Sequence, residues 1–571
     1  MLKKREYQFE VQAQRDGRWY TIQAEEDERK AVSFAEAHLP SATGTILRVT
    51  KTRVFENGEL GSDFVVWEKE IAAKAEAPVT VVPIDSAPMC ETLADLERFE
   101  ARRCATRLLR KYLDKRYVTA TELMHSEREF KRLRDAEALM PSGVSRVAGI
   151  QARDAGTDAR KRTDDLYKLI DQQFNRLREA GAMKVPSLQV GSVAEAWDRA
   201  AKYLGPEQQF FHFGVMLAKH LAGGNGWDAK LDKLLEIKGQ SGLPEPVDNL
   251  LGEMIAEVLD GASVLQDLLG TQPDLVSALN CLSDLAVGSL KVDPVRQPTL
   301  DQLNKAFKGS GMDLAREILT LRIGREIGGR NALTRVGGDE DITALTGIAK
   351  RLVDGDGRFV GGADMADAIA SRYSRRFDDL GAPGAARQLA RGMTEMFPTP
   401  GGRITFLCAL TSAPFGHRLA AEIVEILTLL IMKPQNINNF THFKHPVPKK
   451  LKDVSAIRTA TQEASLRDKE KRVYRDQIDK LTAEYVESEE VLGRIDSTDM
   501  PLIKRLRGIL SLQLSGLLPE GPALDAVRKR VIAHLTGGAG LEGALGELPE
   551  AERPAYRRDL KSMLTRAGFP A

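Results

Sequence analysis

The sequence predicts a predominantly α-helical multidomain protein with a small N-terminal α+β module of order β-β-α-β-β. Three observations carry that expectation. Period-two alternation runs through most of the first seventy residues. Helical periodicity punctuated by Gly and Pro fills the chain from about residue 91. Only 6% of residues are aromatic, too few for a large sheet body, because strands favour aromatic and β-branched side chains. At 571 residues the chain exceeds one hydrophobic core. The expected division is 1–70, the α+β module; 71–90, a Pro/Ala-rich linker; 91–245, helical; 246–400, helical with Gly-rich loops; 401–500, helical with a basic loop and a long charged helix; and 501–571, a C-terminal helical cluster.

Residues 7–13 and 19–24 alternate apolar and polar side chains, and Asp16-Gly17 between them is a hairpin turn signal. Residues 26–38 read as a helix with Ala31, Val32, Phe34, Ala35 and Leu39 on or near its apolar side. Strands follow at 45–53 and 60–67, with Asn57-Gly58 as the turn. One helix on one face of a small antiparallel sheet buries the apolar sides of both. Pro78, Pro83 and Pro88 then argue for extended backbone, since proline lacks an amide hydrogen and restrains its predecessor.

Thr92 with Asp95 has capping-box spacing and opens a helix that keeps its period to Lys115. A second helix is expected over 120–140, stopped by Pro141, with an irregular connection at 141–160. Further helices are expected near 160–181, 191–204, 207–222, 227–238 and 247–259. Thr299 and Gln302 place another start at Leu300. After the Gly-rich region 325–362, helices resume at 363–378, 384–396, 404–432 and 452–495, followed by 501–515, 522–536 and 551–567. No fixed repeat period appears, although short helices on short turns permit an irregular solenoid.

Composition narrows the function classes. Hydrophobic residues make up 42%, charged residues 29%, and the net charge is +1, which suits a folded protein and not a disordered or nucleic-acid-coating one. Cys90, Cys104, Cys281 and Cys408 form no CxxC pair, as expected of free thiols in a cytoplasmic protein. No apolar h-region follows the N-terminal charges. The most apolar run, 419–432, carries Glu422 and Glu425 and falls short of the ~20 residues that cross a bilayer, so a buried helix is expected and no transmembrane segment.

No motif announces chemistry. The Gly-rich region contains neither GxxxxGK[ST] nor a GxGxxG between strand and helix. Asp354-Gly355-Asp356-Gly357 starts like a calcium loop, but Arg358 and Met365 occupy positions where oxygen ligands belong. His442 and His445 have the spacing of a metal pair without the third and fourth ligands a zinc site needs, so no metal and no cofactor are expected. His417, Glu422, Glu425 and His442 are the weak catalytic candidates, and they would matter if they met in one pocket. Arg418 and Glu422, four apart, are expected to pair. His212 and His220 read as partly buried structural histidines.

The stronger polar signal is 433–458, where six cations face one acid, Asp453, for a formal charge of +5. Lys433, Lys444, Lys449, Lys450, Lys452 and Arg458, interleaved with Phe440 and Phe443, could contact a protein partner, nucleic acid or anionic lipid. Residues 461–495 have a sparse apolar stripe through Leu466, Val473, Ile478, Leu481, Tyr485, Leu492 and Ile495. The half holding Lys471, Arg472 and Arg475 is basic, and the half holding Glu487, Glu489 and Glu490 is acidic. That polarity favours antiparallel self-pairing, hence a homodimer. The first functional expectation is therefore a non-enzymatic cytoplasmic scaffold or regulatory protein that binds partners through helical surfaces. The alternatives are a polyanion-binding protein using 433–458, and an enzyme with an inter-helical polar pocket.

Overall fold

A computed structural model describes residues 6–15, 18–38, 46–55, 62–70, 79–136, 138–189, 193–204, 206–224, 226–291, 297–377, 382–537, 543, 545–546, 549–550 and 552–569. The chain divides into two compact units, Met1–Thr80 and Val81–Ala571. Among the described residues there are 27 helices and one four-stranded antiparallel sheet. The chain is thus predominantly helical with a small N-terminal sheet module, as its periodicities predict.

The N-terminal unit contains β1 (Glu6–Arg15), β2 (Arg18–Glu25), α1 (Glu28–His38), β3 (Ile46–Val54) and β4 (Phe64–Glu70). The strand order is β2-β1-β3-β4. Phe9 and Val11 of β1 and Val49 of β3 point to one face and are buried against Ala31 and Ala35 of α1. Two alanines let the helix approach closely. The opposite face is polar: Arg48 stacks 3.8 Å over Trp19 and donates to Gln12 at 2.9 Å. The two edge strands expose Tyr20 and Ile22 on β2 and Phe64 and Val65 on β4. Leu39 and the two hairpin turns lie outside the described residues.

Of the expected linker, residues 79–90 are described and hold no helix or strand, and the part within the helical unit, from residue 81, is bonded to helices. Val82 N–H donates to Leu108 O at 2.8 Å, and Arg146 reaches Ile84 O at 2.6 Å. The capping box at Thr92 and Asp95 forms as its spacing indicates. The helix behind it does not run unbroken to 115. It is three helices, α2 (Leu93–Glu97), α3 (Phe99–Leu108) and α4 (Arg110–Arg116). The 120–140 helix is likewise α5 (Ala120–His125), capped by Thr119 and Glu122, and α6 (Glu127–Arg134), capped by Ser126.

Pro141 does not stop a helix. It occupies the first turn of α7 (Leu139–Ala155), which fills most of the expected irregular connection. A first-turn amide has no intrahelical acceptor, so proline forfeits nothing there. Gly156, in the left-handed region, closes α7, and α8 (Ala159–Ala182) packs back along it. Between them lies a small hydrophobic cluster of Cys90, Val144, Ala148, Leu166 and Leu169, distinct from the main core.

The remaining helices pack in a relay. Trp227–Lys238 meets Glu245–Leu259, then in turn come Asp313–Gly328, Gly362–Ser374, Pro400–Thr411, Val447–Glu463, Asp468–Glu487, Pro522–Thr536, Leu502–Leu514 and Arg553–Arg566. One continuous apolar core from Phe99 to Leu564 runs through it. Glu245–Leu259 is buried on nearly every side, and Gly252 allows it to touch the next element: a Cβ there would lie 1.6 Å from Gly311 O. The helix expected to start at Leu300 is Gln297–Lys308, and Thr299 instead donates to Asp232 at 2.8 Å.

The apolar run 419–432 becomes the helix Ala420–Met432, which is not buried all round. Ile423, Ile426, Leu427 and Ile431 face the core while Leu429 and Met432 are exposed. No helix among the described residues is long and apolar enough to cross a membrane.

Candidate interaction surface

The basic segment begins where Ala420–Met432 ends. A 3-10 turn, Ile437–Asn439, follows, with Asn436 as its cap. Ile437 and Phe440 are buried in the core and anchor the loop. Pro446 precedes Val447–Glu463, so this helix starts five residues earlier than 452 and takes in Lys449, Lys450 and Lys452. A proline before the first turn costs no hydrogen bond.

Three of the six cations are committed to ion pairs. Lys449 pairs with Asp453, which His445 also approaches at 3.3 Å. Burial lowers the Lys449 pKa, opposed by the nearby Asp356 and Asp354. Lys450 is buried, 3.5 Å from Glu490 and 5.3 Å from the centre of the Tyr485 ring. Burial pushes that tyrosine up to about 12, with Glu490 adding to the effect. Arg458 makes a two-pronged contact with Asp479, at 2.6 and 3.3 Å. Arg458 thereby ties two helices together, and cations held in such charge-assisted bonds leave little for a ligand.

Three cations are left over. Lys433, Lys444 and Lys452 are exposed and form no ion pair within 4 Å among the described residues. Of the two aromatics, Phe440 is 2% exposed and Phe443 65%. The Phe443 ring stacks on His442, with centroids 4.9 Å apart, and Lys444 Nζ lies 5.6 Å from its centre. Leu429 and Met432, one turn apart at the head of the segment, add exposed apolar surface. A shorter set thus remains: Leu429, Met432, Lys433, Phe443, Lys444 and Lys452.

The weak catalytic candidates do not meet. His417 lines a cleft with Ser465, Arg467 and Glu470, and neither Glu422, Glu425 nor His442 lines it. Glu425 pairs with Arg387. Arg418 does not pair with Glu422 because Leu419 interrupts the helix between them; its guanidinium lies 5.7 Å from the Phe415 ring centre. His442 and His445 have ring centroids 5.4 Å apart, but His442 Nδ1 accepts from Lys444 N–H at 3.2 Å. No group of three metal-ligating side chains occurs among the described residues.

The self-association residues do not share one rod. The segment 461–495 breaks at Ala464–Arg467 and again at Ser488, giving Asp468–Glu487 and a π turn, Glu489–Gly493. Tyr474, not Val473, belongs to the buried stripe, and its hydroxyl is 2.7 Å from that of Thr428. Lys471 and Arg475 are part-exposed, and Arg472, Glu487, Glu489 and Glu490 are exposed. Arg475 and Glu487 do line one polar cleft of about 590 Å³ together with Arg458, Asp479 and Glu520.

The Gly-rich region is structural. Asp341 accepts from Leu333 N–H at 3.1 Å and Thr334 N–H at 2.9 Å, while buried Arg372 donates to Gly329 O at 2.9 Å and Asn331 O at 2.8 Å. The Asp354 carboxylate caps its own turn, accepting from the backbone of Asp356 and Arg358.

Two polar features had no local signal. Arg102, 2% exposed, reaches Glu257 at 2.9 Å and also pairs with Glu253, some 150 residues away along the chain. Thr121 completes the cluster by donating to both Glu257 oxygens, at 2.7 and 2.9 Å. Burial raises the pKa of Glu257, and Arg102 opposes it. Nearby, Lys230 and Glu122 form a second buried pair. No protein-family model matches this chain, and no curated protein or solved structure is similar enough to match it.

Proposed function

We propose that this chain is a non-enzymatic interaction protein, and that Leu429, Met432, Lys433, Phe443, Lys444 and Lys452 contact a protein partner. The observation that carries the reading is the coexistence of a 65%-exposed Phe443 with exposed cations that form no ion pair among the described residues. Contiguous exposed apolar surface rimmed by polar groups marks partner sites, and Leu429 and Met432, one turn apart and both exposed, supply such surface next to Lys433. The complementary partner is an acidic segment bearing apolar side chains, because opposite charge steers the encounter and apolar contact holds it.

Nucleic acid is the weaker fit. Stacking on bases needs accessible aromatic rings in series, and Phe440 is buried while Lys449, Lys450 and Arg458 have acidic partners.

The test is photo-crosslinking in the cells that make the protein, with benzoylphenylalanine at position 443 and, as control, at position 336, which is also exposed. The expected result is one protein adduct from 443 that is absent from 336 and is lost in Lys433→Glu/Lys444→Glu. A nucleic-acid adduct, or identical adducts from the two positions, would overturn the reading.

A further inference from the structure

The small cluster around Cys90 borders a cavity of about 160 Å³. Its walls come from α3, α5 and α6 on one side and α7 and α8 on the other, all within the helical unit. Leu108, Phe130, Val144 and Leu166 are typical of the lining, which is almost wholly apolar. Leu96, Cys104 and Met140 at its margin are part-exposed, so the space is not sealed from solvent.

Two amide side chains break the pattern. Gln173, on α8, is 0% exposed and lines the cavity. Its amide nitrogen donates to Met124 O at 2.6 Å. That bond fixes the amide orientation, since a flipped group would set oxygen against oxygen. Gln173 Oε1 is then a buried acceptor with no partner. The other lining amide is fully engaged: Gln151 donates to Pro88 O and accepts from Arg162. A water molecule would be a poor match to Oε1, because buried waters need two to four polar partners.

We propose that this cavity binds a single-ring aromatic molecule carrying one O–H or N–H donor, with the donor on Gln173 Oε1. Size sets the ring: an apolar cavity of about 150 Å³ holds benzene. The lone acceptor sets the donor. A carboxylate or other anion is excluded, because it would face an oxygen and desolvate without a counter-charge. This site is independent of the 433–452 surface.

Phenol, toluene and anisole are the probes, titrated into the full chain by calorimetry. Methionine [¹³C]methyl NMR reports location. Phenol should bind at one saturable site, about fivefold or more tighter than toluene or anisole, the effect of one neutral hydrogen bond. The methyl signals of Met124 and Met140 should move, and that of Met500 should not. Gln173→Leu should bring phenol down to the toluene level and leave toluene unchanged. Equal affinities for the three probes, unmoved Met124 and Met140 signals, or a phenol preference that survives Gln173→Leu would each overturn the proposal. The probe comparison uses the unaltered protein, so it stands even if Gln173→Leu does not fold.

Discussion

Acidification should destabilise the helical unit through His125, by an amount the structure allows one to work out. His125 is 2% exposed, with its ring 5.4 Å from that of Phe211 and pressed against Gly214, where a Cβ would come within 2.3 Å of it. Its Nδ1 lies 2.8 Å from Thr121 O, so Nδ1 carries the proton, and Nε2 has no partner. Burial, reinforced by the cations Arg102 and Arg176, pushes its imidazole from 6.5 down to about 4. A base whose folded pKa is depressed contributes stability that is complete above 6.5. That stability is lost as pH falls towards 4, because the unfolded chain takes up a proton the folded one refuses. At about 1.4 kcal/mol per pH unit the full loss is about 3 kcal/mol, and about 2 kcal/mol is gone by pH 5. His212 and His220 are also lowered by burial and act in the same direction, so the useful quantity is a difference between proteins. His125→Asn keeps a donor for Thr121 O and removes the titration. Urea unfolding at pH 7.5 and pH 5, followed by Trp197 and Trp227 fluorescence with Trp19 and Trp67 replaced by Phe, measures it. The parent should lose about 2 kcal/mol more than the variant. Equal losses in the two proteins would refute the reasoning, as would an NMR titration of the His125 ring at or above 6.5.

Two further outcomes test the packing. Arg102→Met leaves the Glu257 side chain, 1% exposed, without its cation, and should cost about 3–5 kcal/mol; Arg102→Met/Glu257→Leu should recover most of it. A single-variant cost below about 1 kcal/mol in urea unfolding would count against a buried pair there. Gly252→Ala sets a methyl 1.6 Å from Gly311 O and should cost about 2 kcal/mol or more. Gly347→Ala, a helical position with nothing within 4 Å, should instead stabilise by about 0.5 kcal/mol; equal thermal shifts for the two would remove the close-approach argument.

What could be read in advance follows the physics of each signal. Alternation gave the four strands, and Thr92 with Asp95 gave a helix start, because both depend on neighbours in sequence. The breaks at Arg98 and Leu109 carry no Gly or Pro; tertiary packing imposes them on a sequence that would continue as helix. Ser126, three residues before Glu129, was a readable cap inside the run 120–140. Pro141 misled because a proline serves equally as a stop and as a first-turn residue, and Ala138 before this helix makes no side-chain cap that would mark the start. At the candidate surface, composition found the basic segment. It could not show that Lys449, Lys450 and Arg458 would meet Asp453, Glu490 and Asp479, two of which come from other helices. Gln173, Arg102 and His125 have polar neighbours in sequence, Gln172, Arg103 and Ser126, and nothing local tells the buried member from the less buried one until the fold surrounds it.

The distribution of charge explains why such a body needs few surface clues to fold in one way. A relay of short helices joined by Leu-rich faces tolerates shifts of register, since apolar contacts depend on volume more than on identity. A buried ion pair does not tolerate them, because the wrong register leaves a charge in the core. Arg102 with Glu253 and Glu257 ties α3 to Glu245–Leu259, and Lys230 with Glu122 ties Trp227–Lys238 to α5. Arg372 binds the carbonyls that end Asp313–Gly328 as well as Asp341, so one side chain sets three elements together. Arg458 with Asp479 does the same for Val447–Glu463 and Asp468–Glu487. A cation already held at such a junction has no charge to offer a ligand without loosening the fold. The cations that can change partners are the ones the relay does not use, and at the basic segment those are Lys433, Lys444 and Lys452.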